Sequence, residues 1–111
     1  MKGSPVFRDS LSLCRAMLAE VGSGGDYASL RERLAGGTLR LLDYVVLALS
    51  GFARYDNLQD ADAELCTLRA QLLLAFEVGV LEEEVFLDFS EQADCIGRQI
   101  GGWLKKLEQV S

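Results

Sequence analysis

From Phe86 to the end of the chain an apolar residue returns at alternating intervals of three and four: Phe86, Phe89, Ala93, Ile96, Ile100, Trp103, Leu107 and Val110. An α-helix turns by about 100° per residue, so this spacing gathers them on one stripe, whereas a strand would scatter them over both its faces. A stripe that long must be buried against something. The rest of the chain therefore has to supply further helices.

It does so with clear punctuation. Ser4-Pro5 reads as a helix start, with serine as cap and proline in the first turn, where its missing N–H costs nothing. Phe7, Leu11, Cys14, Leu18 and Val21 form the expected seam of that first helix, and the Gly22-Ser23-Gly24-Gly25 run ends it. The second helix opens at Asp26, or at Ser29 with Glu32 as a capping box. Its seam is Leu30, Leu34, Gly37, Leu41, Tyr44, Ala48 and Gly51. The Gly36-Gly37 pair is where a kink or a break would fall, and one helix running through it, with room for a bend there, is the expectation. Asn57, with Asp60 three residues on, starts the third, whose seam is Ala61, Leu65, Leu68, Leu72 and Ala75 and whose stop is Gly79. The fourth begins at Glu82-Glu83-Glu84 and carries Lys105-Lys106 near its end, each charge suited to the helix dipole.

No stretch alternates strictly, so a sheet has little support. Four amphipathic helices on short connections pack most simply as an all-α, up-down-up-down antiparallel bundle. With 111 residues, a single domain over 1–111 is expected. The longest apolar run, Tyr44 to Leu49, is far shorter than the roughly 20 residues of a membrane span. Lys2 and Arg8 are not followed by the apolar region of a secretion signal, and a cytoplasmic protein without a membrane partner is expected. Cys14, Cys66 and Cys95 are odd in number and lack CxxC spacing, which suits reduced thiols.

Histidine is absent. That removes the commonest general base and the commonest zinc ligand, and with them the usual serine triad for Ser10, Ser12, Ser29, Ser50 or Ser90. The three consecutive glutamates point in different directions around a helix and suit a solvated start better than a metal site. No phosphate loop occurs. The chain is expected to be no enzyme and to need no cofactor and no metal.

Two features point to binding instead. Helices two and three carry more apolar residues than one seam uses, namely Leu42, Val45, Val46 and Leu49, then Leu73, Leu74 and Phe76. They line either a wide core stripe covered by the first helix or a contact between subunits, and a homo-oligomer is the expectation. Arg33 and Arg40 are seven apart, as are Arg98 and Lys105, so each pair shares a helix face. Such arginines either form ordinary pairs with Glu32, Asp43 or Asp94, or make a local basic patch on a chain whose net charge is −6. In the last helix Ala93, Gly97 and Gly101 lie four apart, beside the seam containing Trp103, and are expected to form a groove that admits a neighbouring helix closely.

Leu68-Arg69, the turn Val78-Gly79-Val80-Leu81, Ile96-Gly97-Arg98 and Gly101-Gly102-Trp103-Leu104-Lys105 together carry a resemblance. Over roughly residues 30 to 106 the chain resembles the four-helix-bundle family of proteins encoded in 23S ribosomal RNA intervening sequences. Within it, the accessory variability determinant proteins of diversity-generating retroelements are the most similar. The resemblance implies a homopentameric barrel without catalytic activity that binds a reverse transcriptase and its template RNA. By position it places Arg69 and Arg98 at the partner contact and Lys105 at the barrel end. Cys95 stands where that group has an acidic residue, with Asp94 one step earlier, and Leu73 stands where it has an arginine. The expectation is a non-enzymatic accessory or scaffold protein. The alternative is a stand-alone RNA- or DNA-binding bundle using Arg40, Arg69, Arg98 and Lys105, against which the acidic net charge weighs.

Overall fold

A computed structural model describes Met1 and residues 3–110, except for the side chain of Val110. The Val110 end of the last seam thus lies outside the described side chains. The described residues form four α-helices and no strand: α1 (Pro5–Val21), α2 (Ala28–Leu49), α3 (Arg54–Glu77) and α4 (Glu83–Val110). They pack into a body of 46 × 22 × 19 Å, with α2 between α1 and α3, and α4 closing the ring against α3 and α1.

The punctuation acts where physical chemistry places it, with three changes. Ser4 caps α1 by accepting a hydrogen bond from the Phe7 N–H at 3.4 Å, with Pro5 in the first turn. Gly79 adopts φ 85° just after α3, and the Val80 N–H returns to the Ala75 carbonyl at 2.8 Å. This is a left-handed stop of the kind that glycine adopts without strain. The first change is at α2, which starts at Ala28 with neither Asp26 nor Ser29 as its cap. Arg31 fixes that corner, donating to the Asp26 carbonyl at 2.8 Å and to the Val21 carbonyl at 2.6 Å. The second is at α3, which begins three residues before Asn57. Asn57 instead donates from Nδ2 to the Phe52 carbonyl at 2.7 Å, tying down the turn that precedes the helix.

The third change concerns α1, whose seam sits one residue away from Phe7, Leu11 and Leu18. Val6, Ser10, Leu13, Cys14, Met17 and Val21 are buried, so Cys14 and Val21 of the expected seam hold, whereas Leu18 is 46% exposed. Both stripes have helical spacing. The one that includes a serine wins because its large members, Leu13 and Met17, face the interior. The cost is Ser10, fully buried, whose Oγ finds no hydrogen-bond partner among the described residues.

α2 runs unbroken through Gly36 and Gly37. A Cβ on Gly37 would lie 3.8 Å from a Leu68 methyl of α3, so the helices approach closely there without a gap. The α3 seam is buried as read, from Ala61 through Ala75, and so are Phe89, Ala93, Ile96 and Ile100 of α4. Side chains from all four helices join one core cluster, against which Trp103 and Leu107 pack half-buried. Burial of this apolar surface stabilises the assembly, at about 25 cal/mol per Å² removed from water.

Candidate interaction surface

Each of the basic residues singled out above lies on α2, α3 or α4, and the structure separates them into two kinds. Arg40 of α2 donates from Nε to Glu64 of α3, and Arg69 of α3 donates from Nε to Asp94 of α4 at 3.0 Å. These bridges clip α3 to both its neighbours. The hydrogen bond and charge of Glu64 hold the Arg40 guanidinium still further above its ordinary range. Both pairs are solvent-accessible, so each contributes no more than about 1 kcal/mol. Arg98 and Lys105 are exposed on α4, and no ion pair to either forms among the described residues. Of the four cationic residues, Arg40 and Arg69 thus sit in ion pairs, while Arg98 and Lys105 stand exposed.

The small residues of α4 divide in the same way. Ala93 is fully buried. A Cβ on Gly97 would stand 2.6 Å from an Arg69 terminal nitrogen and 3.8 Å from a Leu65 methyl. Gly97 is thus a notch into which a terminal nitrogen of the Arg69 guanidinium reaches, while its Nε bonds Asp94. Gly101, by contrast, is exposed, and among the described residues nothing beyond its chain neighbours and its own helix backbone lies within 4 Å of its missing Cβ; Gly102 is the same. The stripe receives a side chain at its middle and stays open beyond it.

Trp103 holds the other end of the molecule together. Arg54, at the start of α3, sets its guanidinium 5.5 Å from the centre of the Trp103 ring while its Nε donates to the Ala48 carbonyl at the end of α2 at 3.0 Å. Tyr55 beside it donates to Glu108 Oε1 at 3.0 Å, and this hydrogen bond is the main reason the phenol ionises above its ordinary range. Arg54, Tyr55, Leu107 and Glu108 line an open cavity of about 480 Å³. A second cavity of about 340 Å³ lies between α1 and α4, lined by Asp9, Ser12, Asp88, Gln92 and Cys95. There Gln99 donates to Asp9 at 2.7 Å, so α4 is hydrogen-bonded to α1 through a residue that reads in sequence as plain surface. Among the described residues no three His, Cys, Asp or Glu side chains are grouped so as to hold a metal ion.

The apolar surplus resolves into three classes. Val45 is core, and Leu42, Val46 and Leu49 are half-buried. Phe76 is half-buried too and stacks on Phe86 of α4 with ring centres 5.0 Å apart. Leu73 and Leu74 remain 47% and 50% exposed. They continue the outer side of α3 through Ala63, Cys66 and Ala70, all exposed. α3 is therefore apolar both toward the core and away from it. No helix among the described residues is long and apolar enough to cross a membrane.

Comparison with protein-family models, with curated proteins and with solved structures gives no match for this chain.

Proposed function

We propose that the chain is a non-enzymatic scaffold, an up-down-up-down antiparallel four-helix bundle that assembles with copies of itself in the cytoplasm and presents the outer side of α3 to a protein partner. The single observation that carries this is the apolar outer side of α3. Ala63, Cys66, Ala70, Leu73 and Leu74 stand exposed on it, in a monomer whose core is already filled by the opposite side of the same helix. Contiguous exposed apolar surface of this kind marks protein interfaces. The antiparallel course is supported by contacts that join opposite helix ends: Tyr55 with Glu108, and Phe76 with Phe86. The partner class supplied by the family resemblance is a reverse transcriptase carrying its RNA template, and the assembly it supplies is a pentamer.

The nucleic-acid reading is weaker on the same geometry. Two of its four cationic residues, Arg40 and Arg69, already face Glu64 and Asp94. Affinity for phosphates rises with the number of phosphates a protein neutralises, and each occupied arginine is one fewer. The discriminating experiment is a mobility shift with structured RNA at low salt, run beside a light-scattering mass. The scaffold account expects a mass above that of one 12.2 kDa chain and no RNA shift. A shift abolished by Arg98→Glu together with Lys105→Glu would transfer the conclusion to direct RNA binding.

A further inference from the structure

Opposite its buried seam, α4 carries a second series at intervals of three and four, and every member of it is exposed. Glu84, Leu87, Glu91 and Asp94 make its first half; Arg98, Gly101 and Lys105 make its second. These residues keep to one outward stripe of the helix. Its first half is acidic, its second half basic. Leu87 is 55% exposed in the acidic half. Gly101 and Gly102 leave open space in the basic half, and nothing inside the chain accounts for two of the poorest helix formers standing side by side there.

We infer that this face of α4 pairs with the same face of a second copy, antiparallel, about a two-fold axis near Asp94. The charge order decides the direction. A parallel pair would set each half against its own kind. An antiparallel pair centred near Asp94 opposes Glu91 with Arg98 of the second copy and Glu84 with Lys105 of the second copy. The same register sets Leu87 against Gly101 and Gly102 of the second copy, a large side chain entering a gap left by missing ones.

At the axis itself two Asp94 carboxylates would meet, which alone would be repulsive. Each is already bonded to Arg69 of its own chain at 3.0 Å. The Gly97 notch lets that guanidinium lie against α4 instead of standing off it. The centre of the contact is thus charge-balanced. No other ion pair involving Glu84, Glu91, Arg98 or Lys105 forms among the described residues, so these charges are available to the second copy.

This inference rests on the proposal that the chain self-associates, and it names the face that does so. The contact is isologous, so it closes a pair by itself, and a five-membered ring of such chains is closed by separate head-to-tail contacts on another face. The test measures self-association of the full chain by sedimentation equilibrium at low and high salt for Glu91→Arg, Arg98→Glu and the two combined, with circular dichroism confirming each fold. Each two-fold pair holds two Glu91–Arg98 contacts. Either single reversal is expected to weaken association about tenfold, and the combined reversal to restore it to within about threefold. Association of the unaltered chain is expected to weaken in 1 M salt, where charges are screened within about 3 Å. Gly101→Leu is expected to weaken association without lowering helicity. An assembly that keeps its mass in all three charge variants, or a combined variant worse than both singles, overturns the α4 pairing and leaves self-association standing. A monomeric unaltered chain removes both.

Discussion

The three glycines of the last helix provide the sharpest check on how its local structure is understood, because the same substitution meets different surroundings within one turn. Gly101→Ala gains about 1 kcal/mol of helix propensity. It meets no atom within 4 Å, so nothing in the chain opposes that gain. Gly97→Ala gains the same amount but places its methyl 2.6 Å from the Arg69 guanidinium, which must swing away. The movement gives up the bond to Asp94 and the 3.5 Å contact with the Ala93 carbonyl. An accessible ion pair is worth about 0.2–1 kcal/mol, so the net effect at position 97 falls between about 0 and 0.8 kcal/mol. For a chain of this length 1 kcal/mol corresponds to about 4 °C in Tm. Thermal melts of both variants, at concentrations where Tm no longer depends on dilution, should place Gly101→Ala about 4 °C above the parent and Gly97→Ala between the parent and about 3 °C above it. In an Arg69→Ala background the two alanines should become equivalent, since the opposing group is gone. Equal stabilisation in the parent background, or a Gly101→Ala variant that melts lower than the parent, refutes the notch. Gln99 is unsuitable as a neutral control on this helix, because its amide bonds Asp9 of α1.

The remaining expectations concern the core. Leu68→Ala removes a side chain only 1% exposed and should cost about 2–5 kcal/mol in urea unfolding. Leu74→Ala, on the outer side of the neighbouring turn, should stay within about 0.5 kcal/mol; a large loss there would show that the outer side of α3 is structural in the monomer. Ser10→Ala should raise stability by about 1 kcal/mol or more, since it deletes a buried hydroxyl without a partner. A destabilised Ser10→Ala variant would mean that the hydroxyl is bonded in solution.

Much of the fold was legible because helix periodicity and caps are local properties. The α3 and α4 seams and the Ser4 and Gly79 boundaries needed only neighbouring residues to read them. The misread places turn on a partner that spacing does not name, on another helix for α1 and in the preceding turn for Asn57. Two stripes of α1 had helical spacing, and only its fit against the core selected the one containing Ser10. Asn57 looked like a cap, yet its amide serves the Phe52 carbonyl. The Gly36-Gly37 pair lies inside one continuous helix, as read, and a Leu68 methyl 3.8 Å from where a Gly37 Cβ would stand accounts for one of its glycines.

The candidate surface was half legible for the same reason. Leu73 and Leu74 stood out as surplus apolar residues, and they are exposed. Which arginines are already engaged was invisible, because Glu64 lies 24 positions from Arg40 and Asp94 lies 25 from Arg69. The outward series of α4 was written in the sequence at helical spacing. It carries meaning only once the inward seam has been assigned and every member of the series is seen to be exposed.

The claim that the chain is a self-assembling scaffold is tested most directly by its mass in solution. Sedimentation equilibrium over a wide concentration range at low salt should return a mass that is a multiple of 12.2 kDa and that falls as salt is raised. A mass of one chain at every concentration and salt would contradict the account.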